Sequence, residues 1–158
     1  MRKVTQSGLC WVWVTAIVII LDRFSKHFAE EYLSFSSPVA IIPGFNLTLS
    51  YNKGAAFSFL DKMPGQTWMF GTIAFLVSVG LLIWLLRLSC RQYWLCIALS
   101  LIVGGALGNL WDRITYGHVI DFIQLYVSHF YWPVFNVADS AVCVGAVILF
   151  LTTLKARD

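Results

Sequence analysis

The chain has 158 residues, 59% of them hydrophobic and only 12% charged, with a net charge of +3 and a mean hydropathy of +0.76. A soluble domain carries about a quarter charged residues, so the composition argues against a soluble globule and for a bilayer as the solvent of the excess apolar surface. The small net charge gives no footing for nucleic acid, and the length suits a single membrane domain over residues 1–158.

The first apolar stretch gives an expected span over residues 8–28. Arg2 and Lys3 precede it, as in a secretory signal, but no small-x-small cleavage site follows; Asp22, Arg23, Phe24, Ser25 and Lys26 come instead. An uncleaved first span is therefore expected. Residues 29–67 form a longer loop. Within it Phe45, Leu47, Leu49 and Tyr51 alternate with Asn46, Thr48, Ser50 and Asn52. This period of two predicts a half-buried strand, and Pro43-Gly44 marks its start. Residues 55–60 suit a short helix lying on the membrane. Residues 68–86 carry no charge and have the length of a membrane helix, about twenty residues at ~1.5 Å each. Residues 93–110 are a second uncharged span. A loop over 111–134 leads to the last span, 135–154, which Asn136 and Asp139 interrupt. Tyr131, Trp132 and Phe135 flank Pro133 as interfacial aromatics.

The four cysteines, Cys10, Cys90, Cys96 and Cys143, show no C-x-x-C spacing and are read as small buried hydrophobes rather than disulfides or ligands. His27, His118 and His129 are far apart and form no H-E-x-x-H. No metal site and no cofactor is expected.

Six of the eleven basic residues lie in three short segments: Arg2 and Lys3, Arg87 and Arg91, Lys155 and Arg157. Four spans put all three segments on one side, and the positive-inside rule makes that side cytoplasmic. Both termini are then inside, and both long loops outside. Counting along the helices gives depth. Asp139 lies about 24 Å from Lys155, Asn109 about 27 Å from Arg91 and Asp22 about 28 Å from Lys3. In a core about 30 Å thick, these three polar residues reach one depth, just beneath the outer boundary.

Asn109, Asp112 and Arg113 stand at i, i+3, i+4, and Asn136 and Asp139 at i, i+3; each set shares a helix face. Gly104 and Gly108 form a G-x-x-x-G that lets a neighbouring helix approach. Plainer readings also fit. Asp22 and Lys26 would pair at a helix end. Asp112 and Arg113 suit an ordinary charged helix end, although Arg113 would also hold a carboxylate. Asn52 suits a turn, and Asn136 an N-cap. Asp139, inside an apolar helix, is a functional residue by default. Its best partner is Asp121, set between Val119, Ile120, Phe122 and Ile123.

Four blocks of sequence then stand together: L-D-R-F-S-K at 21–26, Y-N-K-G-A-A-F-S at 51–58, G-N-L-W-D-R-I-T-Y-G-H-V-I-D-F at 108–122 and F-N-V-A-D-S at 135–140. In order and spacing they resemble the bacterial lipoprotein signal peptidases, along essentially the whole chain. The resemblance implies an aspartyl endopeptidase of the inner membrane with four transmembrane helices and a small β-structure and short helix on the outer face. Its substrates would be diacylglyceryl-modified prolipoproteins in membrane lipid, cut before the modified cysteine. It implies Asp121 and Asp139 as the catalytic pair. Asp22, Lys26, Asn52, Gly54, Gly108, Asn109, Arg113, Asn136 and Ala138 match the positions that shape the site or hold substrate.

The chemistry is consistent with this. Two close carboxylates share a proton because both cannot easily ionise. One then activates water while the other protonates the carbonyl oxygen. Gly54, Ala55 and Ala56 carry little bulk, which suits a loop closing over substrate. A transporter would place polar groups near mid-depth and in repeated halves. A non-catalytic assembly protein would use the aspartates for helix pairing alone.

Overall fold

The computed structural model describes residues 7–54 and 65–155. It contains four long helices: α1 (Val12–Tyr32), α2 (Gln66–Arg87), α3 (Tyr93–Tyr116) and α4 (Val137–Lys155). Each is long and apolar enough to cross a membrane, α1 together with the 3-10 turn Gly8–Trp11 ahead of it. Large apolar side chains cover the outer faces: Phe24, Leu76 and Phe150 are each more than 60% exposed. Water would not tolerate so continuous an apolar surface, whereas lipid solvates it. The chain is a multi-pass membrane protein.

α3 is the hub, packed on α1, α2 and α4. Lipid provides no hydrophobic force between helices, so close approach and polar contacts must hold them. Both are present. A Cβ on Gly104 would lie 2.7 Å from Val18 of α1, and one on Gly105 2.2 Å from the carbonyl oxygen of Ala138 in α4. A Cβ on Gly145 of α4 would lie 2.8 Å from the Ala98 carbonyl oxygen. The Thr15 hydroxyl donates to the Ser100 carbonyl at 2.9 Å. On α1 the buried residues are Thr15, Val18, Asp22, Lys26 and Ala29, spaced by three and four along one face.

Four strands form one antiparallel sheet in chain order: β1 (Val39–Ile42), β2 (Phe45–Asn52), β3 (Val119–Val127) and β4 (Phe130–Tyr131). Ala29, Leu49, Ile120 and Phe122 form a core that seats the sheet on the end of α1. At the opposite end of the bundle Leu85, Leu88, Cys96 and Leu99 form a second core, where the Gly8 N–H donates to the Leu88 carbonyl at 2.9 Å.

Several boundaries differ from the sequence reading. α1 continues past 28 to Tyr32, and α3 past 110 to Tyr116. Their charged residues do not end these helices, because Asp22, Lys26 and Asp112 are fully buried against one another. α3 stops at Gly117, whose φ of 75° and N–H bond to the Arg113 carbonyl at 3.2 Å make a left-handed glycine cap. α4 starts at Val137 rather than 135, because Phe135 is held to Ile123 of β3 by bonds of 2.8 and 3.0 Å. The cysteines are also less buried than expected. Only Cys96 is buried, while Cys10 and Cys143 lie exposed on membrane-crossing segments. The helix expected over 55–60, and the loop positions Ala55 and Ala56, lie outside the described residues.

The strand expected over 45–52 is β2, but its alternation breaks. Before the break Leu47 faces Ile123; after it Ser50 faces Asp121 and Asn52 faces Val119. Thr48 and Leu49 thus stand opposite the single residue Phe122, a β-bulge. Thr48 and Leu49 are both buried, and the side-chain phase shifts by one residue. The shift moves Ser50 and Asn52 onto the face that carries Asp121.

Candidate active site

The bulge is what brings the first site residue to its partner. In an unbroken strand Asn52 would point to the face opposite Phe45 and Leu47. Rephased, its Nδ2 donates to Asp121 Oδ2 at 3.0 Å. Its Oδ1 accepts the Gly54 N–H at 2.9 Å, a local turn that fixes the amide's orientation. Asn52 is therefore both the turn residue and a partner of Asp121.

Asn136 likewise does two jobs. Its Oδ1 accepts the Asp139 N–H at 2.9 Å, and Asp139 Oδ2 accepts the Asn136 N–H at 3.2 Å. This reciprocal pair is a capping box, which satisfies orphan donors at the start of α4. The Asn136 Nδ2 then donates to Asp121 Oδ1 at 2.7 Å and also lies near Asn109 Oδ1 at 3.1 Å and the Ile120 carbonyl at 3.2 Å. One residue thus bonds both carboxylates, one through its side chain and one through its backbone.

Asn109 completes the frame. Its Nδ2 donates to Asp139 Oδ1 at 2.7 Å, and its Oδ1 accepts Lys26 Nζ at 3.0 Å. Lys26 is buried completely. Its ammonium donates to Asn109 and to Asp22 Oδ2 at 2.8 Å, and is ion-paired with Asp112 Oδ2 at 2.7 Å. Asp22 is more than the partner of Lys26 at a helix end. Its Oδ1 accepts the Ala138 N–H at 3.0 Å, tying α1 to the first turn of α4. Gly108 makes room for it, since a Cβ there would lie 2.8 Å from Asp22 Oδ2 and 3.4 Å from the Ala138 Cβ. Asp22, Lys26, Gly108, Asn109, Asn136, Ala138 and Asp139 thus meet at one level of the bundle; the depth counting expected Asp22, Asn109 and Asp139 there.

Arg113 is the departure. Among the described residues its guanidinium bonds go to the backbone carbonyls of Asn109 at 3.2 Å and Gly54 at 3.4 Å, not to a carboxylate, and it lies over the Phe70 ring. It ties α3 to the segment after β2. Two contributors stood outside the sequence set, Asp112 and Arg23. Asp112 is fully buried rather than a charged helix end, and pairs with Arg23 as well as Lys26. Its spacing from Asn109 was the available signal.

Asp121 is 2% exposed. Burial first, then the neighbouring Asp139 charge, pushes its carboxyl up to about 7, against the opposing hydrogen bonds of Asn52 and Asn136 and the charge of Lys26. A carboxyl so placed holds a proton near neutral pH beside a second carboxylate. Among the described residues, no three His, Cys, Asp or Glu side chains are grouped as a metal site.

The signal peptidase (SPase) II family pattern matches residues 14–155. The chain belongs to the signal peptidase II family. It is a membrane peptidase. It is 49% identical to the lipoprotein signal peptidase of Pseudomonas aeruginosa over 152 residues, covering 94% of this chain and 90% of that one. It is 43% identical to that of Alteromonas mediterranea, covering 97% and 85%. A bacterial membrane enzyme solved by the in meso method at 2.3 Å resolution superimposes with a TM-score of 0.84 at 27% identity, covering 94% of this chain and 90% of that chain. All four helices of this signal peptidase II, from residue 14 of α1 onward, fall within the family match, as do Asp22, Asp121 and Asp139.

Proposed function

We propose that the chain removes signal peptides from diacylglyceryl-modified prolipoproteins, cutting before the lipid-bearing cysteine with Asp121 and Asp139 as an aspartyl dyad. The observation that carries this reading is the bonding of both carboxylates to Asn136, which places two acids from different elements at one point. The pair shares one proton; one carboxylate draws a proton from water as the other gives one to the carbonyl oxygen of the scissile bond. The dyad titrates as a unit, so neither acid has a fixed role. Asn52, Asn109 and Asn136 orient it, Arg113 holds the Gly54 segment beside it, and the Asp22–Lys26 pair braces α4 behind it. Gly108 and Ala138 keep that packing close.

The site is placed near the outer face of the bacterial inner membrane, with both termini cytoplasmic. There the diacylglyceryl chains stay in lipid while the scissile bond meets water. The test is cleavage of a diacylglyceryl-modified prolipoprotein by purified protein in detergent. Wild type is expected to cleave, with activity falling as the pH rises through about 7 and the pair loses its shared proton. Asp121→Asn and Asp139→Asn, both folded, are expected to lose at least ~10³-fold in kcat, the scale of removing a member of a coupled acid–base unit. Activity surviving in either variant removes that residue from the dyad. An assembly role for the aspartates would survive both substitutions.

A further inference from the structure

We infer that Asp112 is a positioning residue, whose negative charge balances Lys26 and Arg23 behind the Asp121–Asp139 pair and whose contacts hold both carboxylates in place; this rests on the dyad proposed above. Asp112 has no exposed surface, and its two oxygens are fully used. Oδ1 pairs with Arg23 Nη1. Oδ2 is ion-paired with Lys26 Nζ at 2.7 Å and accepts the Ile120 N–H at 3.2 Å.

Each of the two Oδ2 contacts leads to one member of the dyad. Ile120 immediately precedes Asp121 in β3, and its carbonyl lies 3.2 Å from the same Asn136 amide that binds Asp121. Lys26 bonds Asn109 at 3.0 Å, and Asn109 bonds Asp139 at 2.7 Å. Asp112 therefore reaches both acids within one or two intermediates while touching neither.

The charges also balance. Arg23 and Lys26 are set against Asp22 and Asp112 in one connected cluster. The ionisable groups around it are Asp22, Arg23 and Lys26 from α1, Arg113 from α3 itself, Asp121 from β3 and Asp139 from α4. Tyr116, 3.3 Å from Arg23, and His118 stand at its edge; α2 adds no charged side chain at this end among the described residues. A charge in so dry a place is weakly screened. Neutralising Asp112 leaves one cation in excess beside the dyad, and the carboxyls then give up their protons at lower pH. Neutralising Arg23 does the reverse. A unit charge about 10 Å away, at an effective dielectric of about 20, moves a pKa by about one unit.

The experiment is the pH–rate profile for cleavage of a diacylglyceryl-modified prolipoprotein peptide, measured for wild type, D112N, R23Q, the double variant D112N/R23Q and Asp121→Asn. D112N is expected to move the profile to lower pH by about one unit. R23Q moves it to higher pH by less, because Arg23 is 26% exposed. The double variant restores the neutral count and returns the profile toward wild type. A merely structural Asp112 would lower the rate at every pH, and the losses would add. Profiles unmoved in both single variants, or a double variant displaced as far as D112N, would overturn the inference. If D112N does not fold, the R23Q shift decides alone, and its absence overturns the inference. Activity lost in Asp121→Asn alongside unmoved profiles rejects the Asp112 role alone, whereas activity retained in Asp121→Asn rejects the dyad.

Discussion

Asp121 combines near-complete burial with two hydrogen bonds that favour its charged form. Burial wins, since its carboxyl lies at about 7 against roughly 3.9 in an unfolded chain. The folded value is the higher one. Asp121 therefore contributes stability that is complete below about pH 4 and is lost as pH rises through about 7. Asp121→Asn removes that loss while leaving its other costs nearly constant with pH. The melting temperature of the variant relative to wild type, in detergent, is expected to rise between about pH 5 and about pH 8. A flat difference would show that Asp121 is already ionised at the lower pH. Such a stability cost is what a carboxyl tuned for proton transfer would carry, in keeping with the role proposed for Asp121.

Among the elements, α3 and β2 do the positioning. α3 carries glycines on two faces, Gly104 and Gly108 toward α1 and Gly105 toward α4. Asp22 can reach the Ala138 N–H only because these helices nearly touch. Gly105→Ala places a methyl 2.2 Å from a backbone carbonyl, which cannot rotate away. It is expected to cost about 1–3 kcal/mol by overpacking and to reduce activity as α4 moves off Asp22 and Asn109. Gly80, with nothing within 4 Å of its added Cβ, is the control. Equal thermal stability and cleavage in the Gly105→Ala and Gly80→Ala proteins would remove the close-approach account. In β2 the register shift between Leu47 and Ser50 decides which face Asn52 joins, a decision made by one extra residue.

Over the whole molecule, the sheet and the polar cluster lie at one end of the bundle. Arg87, Arg91 and Lys155 lie at the other, at or beyond the ends of α2 and α4 and in the turn before α3. The proposed orientation, which rests on the positive-inside rule, has those basic residues facing the cytoplasm and the proposed active site outside. On a cysteine-free background, a membrane-impermeant maleimide is expected to label His129→Cys in intact cells. Gln92→Cys is expected to label only after permeabilisation; the opposite pattern would invert the orientation.

The four spans were legible because twenty-residue apolar runs have few other uses. The common depth of Asp22, Asn109 and Asp139 was legible because helical rise is fixed. The pattern of four motif blocks identified the family before any geometry was known. Three things needed the tertiary structure. Burial of Asp112 depends on Lys26 and Arg23 arriving from α1, and no local signal separates it from an exposed helix end. The helix ends at Tyr32 and Tyr116 depend on buried partners for charged residues that in isolation read as stops. The face of Asn52 depends on a bulge, and a period-two pattern contains no record of where an extra residue breaks it. Sequence alone determined which segments enter the membrane and which polar residues share a level, since both follow from hydropathy and rise along a single chain. Which of those polar groups touch was decided only by packing, because hydrogen bonds between elements depend on register and close approach between segments distant in the chain.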